Sequence, residues 1–155
     1  MYHYEESGLS NVWLQNGYTI EDDEDYGELV SIHAVHELHN AIGLYLIMQK
    51  PDLTGEEIRF LRKELNLSQK NLAGVLGVGE TSVRSWEADR GQIGKPAELL
   101  LRALYKEHAQ GDGALRNMIE QLNHQERTLV PNEISFSYGA NHSWHHTRMD
   151  VNSRV

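Results

Sequence analysis

The sequence predicts a mainly α-helical fold with a small antiparallel β part, and three observations carry that expectation. Between Thr54 and about His108, apolar residues recur at helical spacing in short runs, most of them opened by a capping residue or a proline. Near both ends of the chain, around Asn16-Gly17 and in "NEISFSYGANHSWHHT", the period shortens to the alternation of strands. The length of 155 residues suits one main core and is too short for two large domains.

Taken in order, residues 1 to 30 read as strands. In "NVWLQNGYTIED" the Asn16-Gly17 pair supplies the two positive φ angles of a type I′ turn, so the runs on either side are expected to pair as a hairpin. "EDDEDYGE" then reads as a solvated acidic loop and "ELVSI" as a third strand. Ser31 is the expected N-cap of a helix running to about Gln49, with Ile32, Val35, Leu38, Ile42, Tyr45 and Leu46 on its apolar face, and Pro51 stops it.

Thr54, followed three residues later by Glu57, is a capping box for a helix whose apolar stripe is Ile58, Leu61 and Leu65. Ser68 caps the next, which buries Leu72, Ala73 and Leu76 and ends at Gly77. A third runs from about Glu80 to Ala88. A fourth begins near Pro96, where a first-turn proline is harmless, and carries Leu99, Leu100, Ala103 and Leu104 inward. A fifth, over residues 112 to 123, has Asp112 as cap and Leu115, Met118, Ile119 and Leu122 at helical spacing. At the end, Ile134, Phe136 and Tyr138 alternate with polar residues before "GANH" and Trp144, which reads either as a second hairpin, able to join the N-terminal strands in one sheet, or as an unpaired tail.

The chain has no cysteine, which excludes disulfides and thiolate metal sites. The N-terminus "MYHYEESGLSN" carries no apolar leader, and the longest apolar run, "AIGLYLIM", is far short of a membrane span, so a soluble cytoplasmic protein without a membrane partner is expected. The net charge of −9 is unevenly placed: residues 1 to 53 hold one base and ten acids, and residues 54 to 108 hold nine bases and eight acids. That asymmetry suggests two faces with different partners, or simply a solvated acidic loop.

Within "LNLSQKNLAGVLGVGETSVRSWEADRG" two short helices are separated by a glycine-containing turn, the pattern of a helix-turn-helix. Leu72, Ala73, Leu76, Val78, Val83 and Trp86 account for the interior, with the small residues Ala73 and Gly77 letting the helices approach. Glu80, Thr81, Arg84 and Ser85 are left facing outward on the second helix, where hydroxyls and an arginine can bond base edges in a major groove. Arg84 reads as available for DNA, since it lies one position from the inward Val83 and no acid is expected to pair with it at i±4, Asp89 standing at the weaker i+5.

These residues resemble the Xre/Cro (phage-repressor-like) family over about Thr54 to His108, through Leu-Ser-Gln opening the first helix, Leu-Gly-Val at the turn and Trp-Glu closing the second. The resemblance implies a five-helix Xre-type domain, with an N-terminal strand-and-helix module before it. It implies that Gln69 meets the phosphate backbone, that Glu80, Thr81 and Ser85 face base edges, and that Arg84, Arg90 and Lys95 touch phosphate or base. Lys70 and Ser82 complete the phosphate set. Arg62 and Glu87 match a structural ion pair. Glu80 departs from the more usual glutamine-like residue, and reads equally as an acceptor for a cytosine amino group or as a complement to the helix dipole. The implied partner is double-stranded operator DNA, read by a homodimer, because one such unit spans too few base pairs for specific occupancy. The whole-chain order more loosely resembles MqsA-type antitoxins, which carry two zinc-binding cysteine pairs that this chain lacks.

The expected domains are an acidic hairpin-and-helix module over 1–51, a DNA-binding domain over 52–108, and an accessory helix with a C-terminal strand, hairpin or tail over 109–155. His33, His36 and His39 recur on one predicted helix and His142, His145 and His146 cluster near the end, but neither group forms a His-Glu-x-x-His run, so no metal or cofactor is expected. No phosphate loop, nucleophile elbow or paired-carboxylate arrangement is legible, so an enzyme is not expected. The function expected is an autoregulatory repressor of bacterial or phage-like type, associated with the nucleoid. The alternative is an antitoxin or adaptor whose acidic N-terminal module binds a basic protein such as a toxin.

Overall fold

The computed structural model describes residues 1–124 and 133–147. In the described residues of the first unit, Met1–Asn123, the order is β1 (Tyr2–His3), β2 (Trp13–Leu14), β3 (Tyr18–Asp23), β4 (Gly27–Ile32), α1 (Val35–Gln49), α2 (Gly55–Glu64), α3 (Gln69–Leu76), α4 (Glu80–Glu87), α5 (Lys95–Gln110) and α6 (from Ala114). The second unit, His124–Val155, contains the hairpin of β5 (Ser135–Tyr138) and β6 (Trp144–Thr147), with Tyr138 opposite Trp144. The three strand pairs are separate two-stranded antiparallel sheets, so the C-terminal hairpin does not extend the N-terminal strands.

Pairing near the N-terminus differs from the pattern expected around Asn16-Gly17. Gly17 does adopt a positive φ of 79°, but the strands on either side of it find other partners. β2 pairs with β1, aligning Leu14 with Tyr2, and Leu14 is buried. β3 pairs with β4, from Tyr18 opposite Ile32 to Asp23 opposite Gly27. The Asp23 carboxylate accepts from the Asp25 and Tyr26 amides at 2.8 and 3.3 Å, and Gly27 turns at φ 76°. The acidic segment is therefore the tip of a hairpin, closed by an Asx-type turn, rather than a loose loop. Ser31 lies inside β4 opposite Thr19, so it cannot cap α1; Ala34, at φ 48° and without a side-chain cap bond, occupies that position.

The capping box at Thr54 forms in full: the Thr54 hydroxyl accepts from the Glu57 amide at 3.3 Å and Glu57 Oε1 from the Thr54 amide at 2.9 Å. Ser68 caps α3, accepting from the Asn71 amide at 3.0 Å, and Asp112 accepts from the Ala114 amide at 3.1 Å. These are bonds between residues two or three apart, which is why they were readable in advance.

Two helices are turned relative to expectation. α1 buries Gly43, Leu46 and Ile47, leaving Val35 and Tyr45 exposed. α5 buries Glu98, Leu101, Leu104 and Tyr105, leaving Leu99 and Ala103 outside. The two faces fit one another: a side chain at Gly43 would collide with the Tyr105 ring, and the fully buried Tyr105 hydroxyl donates to the His39 carbonyl at 3.4 Å. Burial pushes the Tyr105 phenol up to about 12 and so keeps it neutral.

Arg102 fixes this crossing. Its guanidinium donates to the carbonyls of Leu46, Ile47, Lys50 and Pro51 and to Glu98 Oε1, at 2.8 to 3.3 Å, and thereby satisfies the open C-terminus of α1. Arg102→Ala is expected to cost about 2–3 kcal/mol, read by urea unfolding, because it strips those carbonyls and weakens the pairing of the buried Glu98. A loss below about 0.5 kcal/mol would show that the cap is dispensable.

One further chain of bonds ties the N-terminal segment to the helices. Glu64 Oε1 accepts from His39 Nδ1 at 2.7 Å, and the Tyr4 hydroxyl lies 2.7 Å from His39 Nε2. Tyr4 and Leu9 are both buried, and they anchor the N-terminal segment on the helices.

Candidate nucleic-acid interface

The helix-turn-helix is built by α3 and α4 against α2 and α5. Gly77 takes φ 71° and closes α3, and the Val78 amide donates back to the Ala73 carbonyl at 2.9 Å, a Schellman-type stop. A Cβ at Gly77 would meet no neighbour, so its role is conformational and not the close approach expected of it. Leu72, Ala73, Leu76, Val83 and Trp86 are buried and Val78 is half-buried.

With Val83 and Trp86 inward, the opposite arc of α4 carries Thr81, Arg84 and Ala88, all exposed, and the half-buried Ser85. Ser85 is partly covered: Gly91 packs against its hydroxyl, and the Ser85 carbonyl accepts from the Arg90 amide at 2.9 Å. Ser82 is half-buried on the flank. Arg84 is not free. Glu80 stands one helical turn before it and accepts from its guanidinium at 2.7 Å, an i,i+4 pair that corrects the expectation of no acid at that spacing.

Behind this arc lies the Arg62–Glu87 pair. Nε and Nη2 of Arg62 donate to the two carboxylate oxygens of Glu87 at 2.8 Å each, and Nη1 donates to the Leu67 carbonyl at 3.0 Å. Gln69, expected at the phosphate backbone, instead points its amide at Glu87 Oε1, 3.4 Å away. The bidentate fork locks the start of α3 and the end of α4 onto α2, so the exposed arc has a rigid base.

The other cations expected at phosphate lie on neighbouring segments, Lys70 on α3, Arg90 just after α4 and Lys95 at the start of α5. Lys70 and Arg90 are exposed. Lys95 is 70% exposed and 3.8 Å from Glu98, a loose pair that leaves its ammonium available. Arg59 was not anticipated. It is exposed on α2 and lines a shallow cleft together with Arg62, Gln69, Arg84, Glu87 and Ala88. Its position three residues before Arg62 was the available signal, since residues at that spacing share a helix face.

Two short helices joined by a glycine turn, the second anchored on α2 by a largely buried ion pair and carrying Thr81 and Arg84 on its exposed side, have the architecture of a helix-turn-helix. Residues 58–99 match the Helix-turn-helix family, of Xre/Cro type, so this chain carries an Xre-type DNA-binding domain embedded in a mainly helical fold. No curated protein and no solved structure matches the chain.

Among the described residues, no group of three or more histidines or carboxylates is placed to hold a metal ion. His33 and His36 are exposed, and His142 bonds the Tyr138 hydroxyl at 3.2 Å. No described helix is long and apolar enough to cross a membrane.

Proposed function

We propose that the protein is a homodimeric transcriptional repressor that reads an inverted repeat, its own operator included, by laying α4 in the major groove. The observation that carries this reading is the exposed arc of α4: Thr81 and Arg84 stand out from a helix whose Val83 is fully buried. In this reading Thr81 and Arg84 meet base edges, Ser85 reaches them from beside Gly91, and Glu80 acts mainly by orienting Arg84. Lys70, Ser82, Arg90, Lys95 and the newly placed Arg59 meet phosphates, with Gln69 contributing from behind the arc. The dimer forms through α6, which shows Met118 and Leu122 half exposed while Leu115 and Ile119 pack on the core.

A gel shift with the DNA upstream of the coding sequence tests the reading. Binding to an inverted repeat is expected, with half-sites about one or more helical turns apart and affinity that falls steeply as salt rises. Leu122→Glu is expected to give a monomer on sedimentation and to lose specific binding. Failure to bind at low salt would overturn the repressor, and an unchanged dimer in Leu122→Glu would move the interface elsewhere.

The β3–β4 hairpin favours a second reading, an antitoxin or adaptor that binds a basic protein. Glu21, Asp22, Asp23, Glu24, Asp25 and Glu28 cluster on this hairpin beside the exposed Tyr26, Ile20 and Leu29. Co-expression with the product of the adjacent gene is expected to yield a complex that dissociates in high salt and is lost on replacing Asp22, Glu24 and Asp25 with Asn or Gln. A complex indifferent to those changes would remove the hairpin from the interaction.

A further inference from the structure

A cleft of about 460 Å3 lies between the segment around β2, one side of α1 and the start of α2, away from the α4 arc. That size falls within the about 300–1,000 Å3 typical of small-molecule sites. Val12, Leu14, Leu38 and Ile42 give it apolar walls, and Trp13 and Tyr45, each more than half exposed, stand at its solvent edge. The wall on the β2 side is anchored. Leu9 and Leu14 are anchored in the interior, and the Ser10 amide and hydroxyl donate to Glu56 Oε2 at 3.2 and 3.0 Å, tying this segment to α2.

The polar end of the cleft is unusual. Lys50 and Glu57 line it, and Glu57 is 2% exposed. One oxygen of Glu57 is used by the capping box, while the other, Oε2, accepts no hydrogen bond from the protein and has the Lys50 ammonium 3.5 Å away. A buried carboxylate oxygen whose partner is an ammonium at 3.5 Å, outside hydrogen-bond geometry, is incompletely satisfied, and a closer neutral donor entering by the cleft completes it. Lys50 already balances the charge, so a second cation is repelled and a neutral O–H or N–H is the fitting donor. The indole and phenol at the edge favour a flat aromatic body.

We infer that this cleft is a binding site for a small, neutral aromatic molecule that carries one hydroxyl or ring N–H donor, which bonds Glu57 Oε2 while its ring packs between Ile42 and Val12. The site stands apart from α4 and does not depend on DNA binding. Because Glu57 also caps α2, which carries Arg59 and Arg62, an occupant acts on the helix that borders the DNA cleft.

Titration of the full chain with 4-ethylphenol, ethylbenzene and phenethylamine, followed by amide and Trp13 indole N–H shifts in NMR, tests this. The phenol is expected to saturate with shifts confined to Trp13, Leu14, Ile42 and Lys50 and their neighbours. It should bind about ten-fold or more tightly than ethylbenzene, which lacks only the donor, and more tightly than the cationic amine. Ala41→Phe, at an exposed position on the cleft wall, is expected to abolish the shifts while leaving thermal melting unchanged. Glu57→Gln retains a capping-box residue and is expected to narrow the phenol's advantage. Equal binding of phenol and ethylbenzene, no saturable shift with any probe, or binding that survives Ala41→Phe would each overturn the site.

Discussion

Arg62→Ala is expected to destabilise the protein by about 3–5 kcal/mol, which for a chain of this size lowers the melting temperature by roughly 10 °C or more. The side chains of Arg62 and Glu87 are 12% and 5% exposed, so removing the guanidinium leaves a carboxylate that water barely reaches. Among the described residues the Gln69 amide, at 3.4 Å, is the hydrogen-bond donor that remains to it, and the Leu67 carbonyl loses its donor as well. The cost is that of stranding a buried charge, and it exceeds the net worth of the intact pair. Replacing both partners, as Arg62→Met with Glu87→Leu, is accordingly expected to recover most of the loss. Urea unfolding of the two single variants and the double variant provides the measurement. A single-variant loss under about 1 kcal/mol would mean that Glu87 finds water or another donor, and that the base of α4 is softer than its geometry indicates.

Arg84→Glu is expected to weaken operator binding by about 100-fold or more while leaving the fold intact. The wild-type arginine offers base-edge or phosphate contacts worth about 1–3 kcal/mol in each half-site, and the substitution puts a second acid next to Glu80 on the surface that meets phosphate. The exposed Glu80–Arg84 pair contributes only a few tenths of a kcal/mol to folding, so melting should move by about 2 °C or less. Glu80→Gln separates the roles of the two residues. If Glu80 merely orients Arg84, that variant binds within a few-fold of wild type; if Glu80 accepts from a cytosine, discrimination at one base pair is lost. Operator affinity unaffected by Arg84→Glu would exclude α4 as the reading helix.

The helix-turn-helix was legible because its signals are local. Thr54 with Glu57, Ser68 with Asn71, and Gly77 at a positive φ act across two to four residues, and the chain adopts them wherever it sits. The same locality made Thr81 and Arg84 readable as outward, since burying Val83 and Trp86 on an eight-residue helix leaves only one other side. Glu80 as the partner of Arg84 is equally local: it stands at i−4, and the expectation of no acid at i±4 is wrong there.

Strand pairing and helix rotation were not local. Asn16-Gly17 supplies a sound hairpin signal, yet β2 is taken by β1 ten to twelve residues upstream and β3 by β4, because Leu14 gains burial in the first arrangement. The inward faces of α1 and α5 are set by Gly43 against Tyr105 and by Arg102 on the end of α1, contacts between residues more than fifty apart. The sequence by itself thus determined the helix-turn-helix, its caps and the outward arc of α4, since those follow from bonds within one or two helical turns. Only the tertiary structure decided which faces of α1 and α5 close the core, which strands pair, that Gln69 turns toward Glu87, and that Glu57 ends at the floor of a cleft. Each of those depends on burial gained between distant segments, which no local pattern encodes.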